Sequence, residues 1–315
     1  THYRTHTLGE IQSNGAKLLD SEVTVAGFME ANRGKGAICF VDLRDGTGKT
    51  QIFLKADNVG EAALDMVQRM TRESTLQFTG TVSEKRPPKL QEGQTPPPPT
   101  YEVIASTVTV IAKAAAPLPL GVTDTVNVEL DTRLDNRFLD LRREHIAAMF
   151  RLRGKVLQYG REALINEGFF ETHTPKIVAT ATEGGTDLFP MQYFDTPAFL
   201  NQSPQLFKQL CMSGGLERVF EIGPAFRAEK HDTYRHLNEF ISFDIECSWS
   251  TDDDVMGVLE RMIHHIWQSI ADDDESQSYI ARINDFRASK DEKPIEVIVP
   301  ELPFPRVSYC DAIKI

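Results

Sequence analysis

At 315 residues, 41% hydrophobic and 25% charged, the chain has the size and composition of two globular domains of about 150 residues each. No apolar run approaches the ~20 residues that span a bilayer, and the opening THYRTHTLGEIQ lacks the apolar core of a signal peptide, so a cytoplasmic protein with no membrane partner is expected. The net charge is −12 and residues 1–120 are balanced, so the acidic excess falls entirely in 121–315; bulk attraction for nucleic acid is thereby excluded.

In chain order, residues from Glu22 to about Ile111 read as β. EVTVAGF alternates, AICFVDLRD follows a Gly34/Gly36 turn, and Asp45-Gly46-Thr47-Gly48 is a hairpin signal before KTQIFLK. DGTGKT resembles the tail of a phosphate-binding loop, but Leu43 stands where the leading glycine belongs and a strand follows. EAALDMVQRM has helical spacing, and STLQFTGTV and YEVIASTVTVIA complete about five strands. One helix among five short strands predicts an OB-fold β-barrel over 1–112. The proline-rich 85–100 segment reads as an extended loop, and 113–142 as a linker or hinge region.

The second domain, 143–315, is expected to be α+β, with helices on a largely antiparallel sheet. A helix over about 144–167 is followed by Gly168 at the C′ position. FFETHTP reads as a short strand halted by Pro175, and PQLFKQLCMSG as a helix ending near Gly214-Gly215. VFEIGPAFRAE and NEFISFDIECSW read as an antiparallel pair, and Thr251 as the N-cap of a helix reaching about Ile270. The four dispersed cysteines predict reduced thiols, and the adjacent His264 and His265 lack the spacing of a helical ligand pair.

Residues 226–240, FRAEKHDTYRHLNEF, join these two strands with charges of both signs. Alternation places Phe240, Ser242, Asp244 and Glu246 on one face of the outgoing strand, and Arg227 and Glu229 with Glu221 on the incoming one. A solvated face with offsetting charges is the simplest reading. Phe240 among those charges, and a loop longer than a hairpin needs, instead suit a nucleotide site with a ring to stack a base and an arginine to grip phosphate.

That stretch resembles motif 2 of the class II aminoacyl-tRNA synthetases, and GFFETHTP resembles their motif 1. QSPQLFKQ and TEGGTDLF resemble the aspartyl branch, while RTHTLGEI, FVDLRDGTGKTQIF and LDTRLDNRFLDLRR resemble the archaeal/eukaryotic type of aspartyl-tRNA synthetase. The resemblance implies a catalytic, ATP-binding Arg227 on the α-phosphate, with Glu229 on the adenine amine and Phe240 stacked on the ring. Arg235 and His236 would meet the outer phosphates or the tRNA end. Aspartate would be bound by Glu183, Gln205, Lys208 and Asp244, with Lys208 pairing its side-chain carboxylate. Arg33, Phe40 and Gln51 would meet the tRNA anticodon. The resemblance further implies ATP and Mg2+, L-aspartate, tRNA(Asp) with tRNA(Asn) as an open second substrate, and a homodimer through motif 1.

Motif 3 and the acidic magnesium ligands are not found in 1–315, so the family's pattern implies a longer chain, no metal ligands in this part, and a fragment that is inactive if it stands alone. Phe28 stands where the family commonly has tryptophan, which with the proline-rich loop leaves the choice of tRNA open. Asparagine-specific ligation and a non-catalytic RNA-binding relative are the alternatives.

Overall fold

A computed structural model describes residues 2–87, 97–122, 127–181, 187–231, 233 and 235–314. Contacts divide them into two units, one holding the described residues up to 122 together with 127–142, the other those from 143 on.

The first unit opens with helices α1 (Leu8–Ser13) and α2 (Gly15–Leu18), which the sequence reading did not anticipate. Thr7 caps α1 in a reciprocal capping box with Glu10, and Leu8 and Ile11 plug the barrel core. Strands β1 (Glu22–Lys35), β2 (Ile38–Arg44) and β3 (Lys49–Lys55) follow; then come helices α3 (Ala56–Val59) and α4 (Glu61–Gln68), and strands β4 (Thr75–Glu84) and β5 (Tyr101–Ala112). The strands close a barrel in the order β1-β2-β3-β5-β4. Strict alternation drives closure: Val23, Val25, Val41, Leu43, Ile52, Leu54, Leu76 and Phe78 all point inward and are fully buried, while their neighbours face out. Gly80 lies where the β4–β5 register shifts, and a Cβ there would meet the Ile104 carbonyl oxygen at 2.2 Å. The Asp45–Gly48 turn is indeed a hairpin, with the Asp45 carboxylate accepting from the Thr47 and Gly48 amides.

Segment 127–142, expected as part of the linker, clusters with the barrel and contains α5 (Leu130–Asp135) and α6 (Arg137–Asp140). Arg142 ties it down: its guanidinium lies 3.7 Å from the Phe28 ring centre and bonds Glu73 at 2.9 Å, while Arg44 bonds both Glu73 and the Arg142 carbonyl.

The second unit contains α7 (Glu144–Asn166), β6 (Phe170–Glu171), β7 (Ile177–Val178), β8 (Pro190–Tyr193), β9 (Thr196–Leu200), α8 (Gln205–Ser213), β10 (Arg218–Phe226), β11 (Glu239–Cys247), α9 (Asp252–Asp272), α10 (Asp274–Ala288) and α11 (Tyr309–Ala312). Gly168, at φ +82, closes α7, with Gly168 N donating to Ile165 O and Phe169 N to Leu164 O, the paired bonds of a Schellman stop. One sheet runs β11-β10-β6, with β10–β11 antiparallel and β6 parallel to β10; a second runs β7-β9-β8. Phe220, Ile222, Phe243 and Ile245 pack the first sheet against Ala163 and Leu164 of α7 and Val258 and Met262 of α9. One face of β10–β11 is therefore occupied by core, and the other is left for chemistry.

Candidate functional site

The register pairs Ala225 with Phe240, Glu221 with Asp244 and Val219 with Glu246, so Phe240, Ser242, Asp244, Glu246 and Glu221 share the face turned from the core. Strand β10 ends at Phe226, short of the expected Glu229. Beyond it Arg227 N still donates to Asn238 O, but the Asn238 side-chain amide then takes the Arg227 and Glu229 carbonyls at 2.8 and 3.0 Å. A side chain thus replaces the ladder and lets the loop open. Arg227, Glu229, Arg235, His236, Leu237 and Phe240 line one hollow of about 270 Å³, with the Arg227 guanidinium 5.6 Å from the Phe240 ring centre.

Lys208 projects from α8 onto the same face and is 2% exposed. Its Nζ donates to Asp244 Oδ1 and the Ile245 carbonyl, each at 3.1 Å, and lies 3.4 Å from Glu246 Oε2. Gln205 Nε2 donates to Glu246 at 3.0 Å, and the Ser242 hydroxyl donates to Asp244. Gln205, Lys208 and Asp244 are therefore brought together. Lys208 nonetheless carries its own counter-charges and is no lone ammonium, and Asp244 holds it directly. Phe240 lies four residues from Asp244 on the shared face, about 13 Å along the strand. Glu183 lies outside the described residues. The Asp187 carbonyl accepts from Ala228 N at 3.0 Å, which brings Asp187 to the hairpin.

Two charged groups here had no assigned role. Glu246 stood on the ledge by alternation, and its link to Lys208 is what places it at the site. Glu221 is buried and accepts from Thr174 Oγ1 and Lys176 Nζ, both at 2.6 Å; Thr174 lies in the motif 1 stretch and Lys176 just past it, both distant in sequence, so local spacing gives no signal. Behind them, the buried Asn201, Gln202 and Ser203 form the base of the site, with Asn201 O accepting from Phe226 N.

On the barrel, Phe40 and Gln51 line a hollow of about 520 Å³ together with Phe53 and Glu102. Phe40 faces outward and stacks on Phe53 at 5.0 Å between ring centres, and Gln51 donates to Glu102 at 2.9 Å. Arg33 is the β-ladder partner of Phe40 and pairs with Asp42 at 2.9 Å, beside the hollow and not within it. Phe53 was not named from the sequence, although strand alternation turns it outward with Gln51.

A closed barrel with an aromatic outer hollow is followed in sequence by an antiparallel sheet bearing an arginine–aromatic pocket. The family model of the class II tRNA synthetases (D, K and N) matches residues 129–315, and that of the OB-fold nucleic acid binding domain matches 23–111. The chain belongs to the class II tRNA synthetases of this D, K and N group. It is 46% identical to an aspartate–tRNA(Asp/Asn) ligase of Methanococcoides burtonii over 99% of its own length, and 40% identical to an aspartate–tRNA(Asp) ligase of Pyrococcus abyssi over 100%. It spans 65% and 66% of those relatives. Among solved structures, asparaginyl-tRNA synthetase from Pyrococcus horikoshii complexed with asparaginyl-adenylate matches with a TM-score of 0.78 at 29% identity, covering 95% of this chain and 64% of that one. A putative aspartyl-tRNA synthetase from Leishmania major Friedlin also matches with 0.78 at 29% identity, covering 90% and 55%.

Proposed function

We propose that the protein ligates L-aspartate to tRNA(Asp), and to tRNA(Asn) as well, through an aspartyl-adenylate made from ATP. The observation that carries this reading is the buried Lys208 on the sheet face shared with Phe240. Relatives whose names specify aspartate and tRNA(Asp) or tRNA(Asp/Asn) support it.

The charges suit such a substrate. Lys208, Asp244 and Glu246 sum to −1, so the surplus carboxylate can receive the α-ammonium of aspartate while Lys208 turns a donor to its side-chain carboxylate. The α-carboxylate is then left to face the nucleotide hollow. The pocket residues fit ATP: Phe240 offers a ring for the base, Glu229 an acceptor for the exocyclic amine, and Arg227 a cation for the α-phosphate, with Arg235 and His236 toward the outer phosphates. An α-carboxylate oxygen attacks the α-phosphorus and pyrophosphate leaves; a tRNA hydroxyl then attacks the acyl carbon and AMP leaves. The side chains position and neutralise, and none forms a bond to substrate. Mg2+ prefers an all-oxygen shell. The donors beside this hollow are Glu229 with two imidazoles, which do not fit it, so no Mg2+ ligand is assigned here.

Because Lys208 keeps Asp244 when an amide replaces the carboxylate, asparagine forfeits one charge-assisted bond and buries no orphan charge, a penalty of about 1.5–3 kcal/mol. The similarity to asparaginyl-tRNA synthetases makes asparagine the second reading. Amino-acid-dependent pyrophosphate exchange by the full-length protein decides. Aspartate-supported exchange is expected; support by asparagine alone would overturn it, and exchange with neither would leave a non-catalytic RNA-binding relative.

The same reading includes a homodimer through motif 1, supported by Phe170, 58% exposed on β6, and by the exposed Ile165 and Met149 on the preceding α7; sedimentation at twice the chain mass is its check. A cytoplasmic location is part of the same reading. Among the described residues no helix is long and apolar enough to cross a membrane.

A further inference from the structure

We propose that a transition-metal ion of the zinc class binds at Glu229, His231 and His236, and that it competes with the nucleotide; the competition, unlike the site, rests on the nucleotide reading above. One donor atom from each residue lies within 4.8 Å of the other two. Tetrahedral zinc with ligands at about 2.0–2.1 Å needs donors about 3.4 Å apart, so side-chain rotations bring them to ligand distance without a change of fold.

Hydrogen bonds brace the backbone at each donor among the described residues. His231 N donates to Glu229 O at 3.0 Å and His236 N to Thr233 O at 3.1 Å, while Asn238 holds the Glu229 carbonyl. The imidazoles of His231 and His236 lie 4.5 Å apart between ring centres at 38°. Thr233 Oγ1 is 2.6 Å from His236 Nδ1. That bond fixes the ring and leaves Nε2 for the ion, the outer-shell arrangement that orients metal-bound histidines. Two imidazoles and a carboxylate suit zinc, nickel or copper, and are poor for Mg2+. With His231 and His236 exposed, water completes the coordination.

Glu229 and His236 line the nucleotide hollow, whereas His231 does not. An ion therefore withdraws the carboxylate that would accept from the adenine amine, and reorients a ring facing the outer phosphates. His231 is the handle that separates the two functions.

The test titrates the protein with Zn2+, and with Co2+ as a visible-absorption probe, in the absence of nucleotide. One ion per chain and a tetrahedral cobalt spectrum are expected, with His231→Ala weakening binding more than about tenfold, or about 1.4 kcal/mol. ATP affinity is then measured with and without Zn2+. Zn2+ weakens ATP binding in the unmodified protein and has no such effect in His231→Ala, whose metal-free ATP affinity is unchanged. Absence of a stoichiometric ion, equal metal affinity in His231→Ala, or displacement by equimolar Mg2+ overturns the site. Because the cobalt arm contains no nucleotide, it still reports ligation if metal-free protein fails to bind ATP; that failure sinks the nucleotide reading and the competition together.

Discussion

Removing the Lys208 ammonium would leave Asp244 and Glu246 close together, with only the Gln205 amide and the Ser242 hydroxyl donating to them among the described residues. Breaking a buried pair by deleting one partner costs about 3–5 kcal/mol, because the remaining charge is uncompensated. Lys208→Met is therefore expected to lower unfolding free energy by that order in urea titration and to abolish aspartate-supported exchange. Adding Asp244→Asn should restore part of the stability without restoring exchange. Retained aspartate-supported exchange in Lys208→Met would remove the lysine from substrate selection. At this scale the sequence showed which side chains share a face, since a strand alternates with period two: Phe240, Asp244 and Glu246 could be grouped by counting. It did not show that Lys208 is neutralised before any substrate arrives, because that depends on where α8 lies over β11. The Glu221–Lys176 pair was hidden for the same reason.

The junction of α7, α9 and α10 is held by a set of charges with no place in the chemistry. Asp273 is the N-cap of α10, accepting from the Ser276 amide and hydroxyl at 3.0 and 2.6 Å, and it faces Lys155 of α7 at 3.2 Å. The Ser276 hydroxyl above all, with Tyr159 and Lys155, holds its carboxyl far below the usual carboxylate range. Lys155 is raised well above the ordinary lysine value, chiefly by Glu275. A depressed folded pKa gives stability that is present above the unfolded carboxylate value, near pH 4, and is lost as pH falls through the folded value. The raised lysine works oppositely: its contribution is complete below about pH 10 and is lost only as pH rises through the folded value. Asp273→Ala should therefore cost about 0.5–2 kcal/mol at pH 7 as a lost cap, with the gap to the unmodified protein narrowing below pH 4 in urea unfolding. A gap that stays constant down to pH 2 would deny the carboxylate its role. Helix boundaries with local causes were legible: Thr251 caps α9 with Asp254 in a capping box, and Gly168 stops α7. Strand β10 was read too long because Asn238 substitutes for ladder partners, and no periodicity reports a side chain doing so. Helices α1 and α2 were missed because their apolar residues are few and gain their burial from the barrel.

For the whole molecule, a net charge of −12 requires, on the proposed reading, that tRNA be held by local contacts, and the barrel hollow offers Phe40, Gln51 and Lys85 for them. The barrel itself was legible because every strand announces its inward residues. The hollow was only half legible: Phe40 and Gln51 could be named, but its depth depends on Phe53 and on strand β5 bringing Glu102 beside Gln51. If Phe40 works by stacking on an unpaired base, Phe40→Ala should weaken tRNA binding by about 1–3 kcal/mol, roughly 5–150-fold. Stacking releases no counterions, so the slope of log affinity against log salt should not change in that variant. Lys85 lines the same hollow, and a lysine on a phosphate works through counterion release; Lys85→Ala should reduce the slope by about 0.7–0.9 with a smaller loss at high salt. The two variants dissect one pocket into an aromatic contribution indifferent to salt and an ionic one that disappears with it. A Phe40→Ala protein that binds tRNA as tightly as before would move recognition off this face. With an acidic chain, no bulk attraction remains to compensate for that loss, so the measurement is sensitive to a single ring.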